Sequence, residues 1–545
     1  MSGRPAGFLA PEDLMDAWSF SRAEEFWDLY RPYTPYGKDE RDERRVHSDR
    51  AVIERILDRT EAAAAWLDAT REDPAARDRA GYYLKRMPRL PSSAKTEYEL
   101  AEIFQVKKFL ADYEGLRAAL DEGTRTVFGL GPAAADLSAE LAKGGSDPET
   151  FFVSDAYDPD LAEVRGAIAR TDADLEAARS AAETRLAARH GVRLSGRDFA
   201  LVPRAAAEAL LADRELAVVE PYDDRLYLVR PAADSLILGL RDRRDELAAR
   251  ERKLEDGVLR RLSALIAAAL PEIRAASERT RDFDLALARA RMARDLGLVR
   301  PDLSAKGDWE LAEGRFLPCE AECRELGLSY TPLTARFGRP VTTIFGSNMG
   351  GKTVALKTVL FFQVLAQAGF HVPAALLRTR VYARLSYVGE LAGERLAGLS
   401  GFGFEIHRFI RAWEGMGEGG CLAVFDEFAR TTSSREAEAL LSAAQAELSA
   451  KPGVKSFFAT HFRGLVRSPG VDYLRMKGLD RKAASECLEA DAPRAERLAR
   501  INRHMRYELE PDGEGPGPAD ALTVAALLGL PGEIVRKAEA VIGGR

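Results

Sequence analysis

"TTIFGSNMGGKTVALKT", Thr342 to Thr358, is the stretch on which the reading of this chain turns. Val341 to Phe345 is a short β-branched apolar run, and "VALKTVLFFQVLAQAGF" after the loop has helical character. Between them Gly346, Ser347, Asn348, Met349, Gly350, Gly351, Lys352 and Thr353 satisfy G-x-x-x-x-G-K-[ST] in the strand–loop–helix context that the motif needs. Glycines let the backbone curl so that its N–H groups face phosphate oxygens, and the helix N-terminus adds its positive dipole end. Lys352 is expected to reach the β and γ phosphates of ATP, and Thr353 to offer its hydroxyl to Mg²⁺.

Working outward, two further apolar runs read as buried strands of the same domain, "CLAVF" (Cys421 to Phe425) and "VKSFFAT" (Val454 to Thr460). The first ends in Asp426 and Glu427. Strand carboxyl ends in a parallel sheet converge on the ligand crevice, so Asp426 is expected to orient Mg²⁺ and Glu427 to polarise the attacking water. The second ends in His461, a candidate sensor of the γ-phosphate. A lone His after a strand is more often a satisfied structural group, and spacing alone leaves both roles open.

The rest of the chain reads differently. With 545 residues it exceeds what one hydrophobic core normally supports, and its 46% hydrophobic and 30% charged residues are those of a helix-rich globular protein. Residues 1–130 read as a helical core or lever domain, its short helices broken at "RPYTPYG" (Arg31 to Gly37) and "MPRLPSS" (Met87 to Ser93). Residues 131–300 carry two long helical patterns, Asp160 to Arg189 and Leu236 to Arg294, the latter containing Pro271 as a candidate kink. A helix of some 35–50 residues would be roughly 50–75 Å long, so the two patterns are expected to form antiparallel arms. Between them "LAVVEP" and "RLYLVRP" alternate around "YDD" and predict a small β tip at about 192–235. Residues 301–545 form the nucleotide domain, with a helical C-terminal end. The expected fold class is therefore multidomain, α and α/β.

The net charge of −7 gives no general attraction to nucleic acid or an anionic membrane, so any DNA contact is expected to be local. The tip carries six basic against eight acidic side chains from Val192 to Ser235, which is not the balance of a DNA grip. Cys319, Cys323, Cys421 and Cys487 lack zinc-knuckle or redox spacing and read as reduced structural thiols. The first residues show no apolar signal region, and no apolar run is long enough to span a bilayer; a cytoplasmic protein without membrane contact is expected.

Taken together, "GSNMGGKTV", "DEFARTTS" (Asp426 to Ser433) and "ATHF" (Ala459 to Phe462) resemble the loop, Walker B strand and switch of the MutS family of ABC-type P-loop ATPases. "EGRFLPC" with "SYTPLT" is similar to the family's segment whose aromatic stacks on adenine, which makes Tyr330 the base-stacking candidate. "GLSGFGFEIHRF" resembles the S-T-F-M-x-E segment at Ser400, Phe402 and Glu405. In the family that serine touches the γ-phosphate held by the other subunit, so the resemblance implies a homodimer with composite ATP sites, completed by Ser400 in trans. "ADALTVAALLGLPGEIVRKAEAVI" looks like the family's closing, dimerising helices.

The chain departs from the pattern at Ser347, Val354 and Thr431, and around "YELEPDG" (Tyr507 to Gly513) it has no histidine of the kind that stacks on the base in many members. Its front resembles the family's core helices directly, so a compact member without the mismatch-recognition and connector domains is expected, related to mismatch repair but not itself a mismatch sensor. The arms and tip match the family's lever and clamp in outline. What the clamp holds stays open between two readings. One is DNA. The other is a protein client, because compact MutS-like proteins of this design resemble the ATPase that reactivates adenosylcobalamin-dependent aminomutases of the lysine 5,6-aminomutase type. A third, plainer reading is a nucleotide-gated dimer.

Overall fold

The computed structural model describes residues 9, 11–145, 147–194, 197–304, 307–346, 350–390, 401–416, 419–480, 503–513 and 520–543. Its contacts divide the chain into two units, one of residues 1–81, 120–129 and 279–545 and one of 82–119 and 130–278.

In the second unit the helix Pro159–His190 starts on Asp158, whose side chain accepts from Asp160 N, with Pro159 at the first helical position. The helix Ser235–Leu296 runs on through Pro271. Arg165 bridges to Glu251 and Glu255, Asp172 to Arg244 and Asp234 to Arg185, so partners fall along one helix as they rise along the other. Between the helices lie β1 (Ala200–Pro203), β2 (Ala217–Pro221) and β3 (Leu226–Pro231), all antiparallel in the order β1-β3-β2. Asp223 Oδ1 accepts from Arg225 N and Leu226 N and so closes the β2–β3 turn. β1 was not expected, because "ALVP" is too short to alternate. One face of the sheet buries Val202 and Val229 with Ala207 and Leu210 of a short helix.

The first unit continues with β4 (Trp309–Gly314), β5 (Leu333–Phe337), β6 (Val341–Phe345), β7 (Leu376–Arg378), β8 (Arg384–Val388), β9 (Cys421–Asp426), β10 (Val454–Thr460), β11 (Val471–Leu479) and β12 (Met505–Pro511). A six-stranded sheet has the order β12-β11-β6-β10-β9-β8, parallel throughout except for the β11–β12 pair, and β5-β4-β7 form a separate antiparallel sheet. All residues of β6 and β10 are buried, Thr342, Thr343, Lys455 and Ser456 among them, so neither strand shows the in–out alternation of a half-exposed strand. Thr460 pairs with Phe345 and Ala459 with Asp426, so β6, β9 and β10 end in step.

The helix Lys352–Gln367 is buried on every side from Thr358 onward. Phe361 and Phe370 meet Phe26 edge-on, and Phe20 stacks on Tyr387 of β8. Burial of these apolar side chains is what joins the N-terminal helices Pro11–Ser21 and Ala23–Trp27 to the nucleotide domain rather than to residues 82–119. Phe26 and Trp27 are buried, as core packing requires. The break at "RPYTPYG" is also tied down from afar. Thr34 caps the helix Pro35–Asp42 by accepting from Gly37 N, and Asp284 accepts from Tyr33 N, Thr34 N and Thr34 Oγ1 at 2.7–2.9 Å. Among the described residues, no helix is long and apolar enough to cross a membrane.

Candidate nucleotide site

The carboxyl ends of β6, β9 and β10 bring together the residues that the sequence set far apart. Gly351 ends the loop at φ 87°, a left-handed conformation that side chains rarely adopt, and a Cβ there would meet Tyr507 Cδ1 at 2.9 Å. Lys352 is almost wholly buried; its Nζ donates to Gly346 O at 2.8 Å and lies 3.9 Å from Glu427 Oε1. Burial pushes the Lys352 ammonium below its ordinary range, while Glu427 and Asp426 pull it back. Thr353 Oγ1 donates to Asp426 Oδ1 at 3.2 Å. Burial pushes the Asp426 carboxyl upward, against the Thr353 hydrogen bond and the Lys352 charge.

A hydroxyl and a carboxylate held side by side are oxygen donors of the kind Mg²⁺ takes, with its remaining positions left to phosphate and water. Thr353 and Asp426 therefore fit that ion. Among the described residues no cluster of three His, Cys, Asp or Glu side chains forms a separate metal cage.

Glu427 follows at φ 52° and Ala429 at φ 66°. Two non-glycine residues in left-handed conformations at a strand end mark stored strain of the kind that gathers at functional sites. The strain is held from two sides, since Glu427 N donates to Ala459 O and Ala429 N donates to Glu405 Oε2 at 2.9 Å. Glu405 of the S-x-F segment thus positions the turn after the Walker B strand. His461 is half-exposed, its Nδ1 4.0 Å from Glu427 Oε1. Ser400, Asn348 and Met349 lie outside the described residues.

Beside the loop is a cavity of about 280 Å³, lined among others by Tyr330, Leu333, Thr353, Met476 and Tyr507. Tyr330 Oη accepts from Phe316 N at 2.6 Å, which fixes its ring at the wall, and burial pushes its phenol well above the ordinary range. Tyr507 and Met476 were not read from the sequence. The antiparallel β11–β12 pair, with Met476 opposite Leu509, carries them beneath the loop, a placement that no local motif in the sequence marks.

The sequence profile described as MutS domain V matches residues 342–543. Over 315 residues the chain is 27% identical to the DNA mismatch repair protein MutS of Anaeromyxobacter dehalogenans, covering 54% of this chain and 33% of that protein. It is 31% identical over 229 residues to the Endonuclease MutS2 of Symbiobacterium thermophilum, covering 40% of this chain and 27% of that one. A longer alignment, 28% identical over 464 residues, reaches 79% of this chain and 46% of the DNA mismatch repair protein MutS of Caulobacter vibrioides. The chain therefore spans less than half the length of these relatives. The P-loop, the Asp426-Glu427 strand end and the His461 switch all fall inside residues 342–543, the segment that matches MutS domain V.

Proposed function

We propose that this protein binds ATP with Mg²⁺ and hydrolyses it to ADP and phosphate, and that turnover at composite sites of a homodimer drives opening and closing of a clamp built on residues 131–300. The observation that carries this is the convergence of Lys352, the Thr353–Asp426 pair and Glu427 at one end of the sheet. Lys352 and the loop N–H groups hold the phosphates, and Glu427 takes a proton from the water that attacks the γ-phosphorus as the bond to the β-bridging oxygen breaks. His461 orients that water. Thr353 and Asp426 would hold Mg²⁺, which would supply positive charge against the phosphates.

The adenine is assigned to the cavity between Tyr330 and Tyr507. Stacking on an aromatic is worth about 1–3 kcal/mol per base, so Tyr507→Ala is expected to weaken ATP affinity roughly tenfold, with Tyr507→Phe close to wild type. Titration with a fluorescent ATP analogue checks both; an unaltered Tyr507→Ala would move the base elsewhere.

Ser400 is assigned to the partner's γ-phosphate. Lys352→Ala and Ser400→Ala subunits, each inactive alone, are expected to recover part of the hydrolysis when mixed, because one composite site of each mixed dimer keeps both residues. Failure to recover removes the assignment in trans.

For the client, the name DNA mismatch repair protein carried by relatives supports DNA. A second reading, a remodelling factor for an adenosylcobalamin-dependent aminomutase, is favoured by the tip, whose acidic balance is joined by exposed Leu201, Val218 and Tyr222. Salt-titrated binding of duplex, mismatched and branched DNA in the presence of ATP separates them. A DNA clamp gives an affinity that falls steeply with salt; no measurable affinity at low salt would end that reading and leave the protein client and the nucleotide-gated dimer.

A further inference from the structure

Away from the nucleotide site, the first unit contains a cavity of about 160 Å³ with an unusual wall. Five arginines line it, Arg41, Arg45, Arg59, Arg281 and Arg289, with only two carboxylates, Glu40 and Asp282. Asp282 is shared by Arg59 at 2.8 Å and Arg281 at 2.9 Å, and Glu40 lies 2.9 Å from Arg45 and 4.0 Å from Arg281. Arg289 differs from these. Its guanidinium sits 4.9 Å from the Tyr30 ring centre and 5.0 Å from that of Phe370, and among the described residues no carboxylate lies within ion-pair distance of it. Its Nε is buried without a hydrogen-bond partner, as is that of Arg41. His47, also in the wall, adds no charge: burial first, then Arg289 and Arg45, hold its pKa at about 4.

Arg41 is paired outside the cavity with Asp28 at 3.5 Å and Arg45 with Glu43, which leaves Arg289 as the wall's uncompensated charge; a buried guanidinium without a carboxylate and buried Nε donors without acceptors are unfavourable unless an anion is taken up. Guanidinium forks match the oxygens of phosphate-type anions in geometry as well as in charge. The space is close to that of an engineered cavity of about 150 Å³ that holds benzene, which admits a small anion and not a nucleotide. We propose that this cavity binds a small phosphate-type oxyanion, free or as the phosphate end of a small metabolite, with Arg289 and Arg41 as its principal donors. The wall is anchored to the far end of the P-loop helix, since His47 N donates to Gln367 O and Gln367 Nε2 donates to His47 O.

The test needs the phosphate loop silenced, so it uses the full chain carrying Lys352→Ala. Calorimetric titration at low ionic strength with inorganic phosphate, phenyl phosphate and acetate is expected to give one saturable site for the phosphates and at least tenfold weaker acetate binding. Tighter binding of phenyl phosphate than of phosphate assigns the metabolite form, and the reverse the free ion. Adding Arg289→Gln should weaken phosphate at least tenfold. Arg59→Gln, at the more exposed rim, should weaken it about threefold with an unchanged melting curve, and decides the matter if Arg289→Gln does not fold. Absence of saturable binding, or affinity unchanged by whichever of these variants folds, overturns the proposal.

Discussion

Glu427→Gln is expected to lower ATP turnover by about 100-fold or more while leaving ATP binding intact, since a positioned general base contributes roughly 10²–10⁴-fold. The geometry gives the reason. Glu427 is the carboxylate nearest Lys352 and His461, at 3.9 and 4.0 Å, whereas Asp426 is engaged by the Thr353 hydroxyl. Glutamine keeps the size of the side chain and the left-handed backbone at φ 52°, but it cannot take a proton from water. Lys352 loses one opposing charge and keeps its hydrogen bond to Gly346 O, so the phosphate cradle is preserved. Single-turnover hydrolysis beside an equilibrium nucleotide titration separates the two effects, and with hydrolysis blocked the ATP-bound dimer should accumulate. Wild-type turnover in the variant would remove Glu427 from its role.

The second large effect is on stability. Asp284→Ala is expected to destabilise the first unit by at least about 3 kcal/mol, because the N–H groups of Tyr33 and Thr34 and the Thr34 hydroxyl lose one acceptor together, at about 1–3 kcal/mol for each buried group left unsatisfied. Asp284 is fully buried, and burial pushes its carboxyl above the ordinary range while these donors pull it down. The site has little room to repack: a Cβ on Gly37 would already meet Asp284 Oδ2 at 2.5 Å. All five tryptophans, Trp18, Trp27, Trp66, Trp309 and Trp413, belong to the first unit, so urea unfolding followed by tryptophan fluorescence reports on it alone. A loss below about 1 kcal/mol would mean that water replaces the carboxylate.

Neighbouring residues carried a good part of this in the sequence itself. Strands β6, β9 and β10 are rich in apolar residues without alternation because they are covered on both faces, and Gly346 to Thr353 must follow a strand and open a helix to present N–H groups to phosphate. Asp426, Glu427 and His461 could be named because a parallel sheet gathers its carboxyl ends on one side. Such features depend on local periodicity and on backbone constraints of single residues, and both are visible in the order of amino acids.

Only the tertiary structure decided which distant segments complete them. Tyr507 and Met476 reach the loop through the β11–β12 pair, Glu405 props the turn after Glu427, and Asp284 holds Thr34 across 250 positions. The N-terminal helices join the nucleotide domain because Phe20 and Phe26 find Tyr387, Phe361 and Phe370, although their own pattern says only that one face is apolar. A hydrophobic face is indifferent to its partner's place in the chain, and a buried polar group needs only some donor or acceptor of the right geometry. Periodicity therefore determines what each segment must bury, and three-dimensional packing determines against which segment it does so.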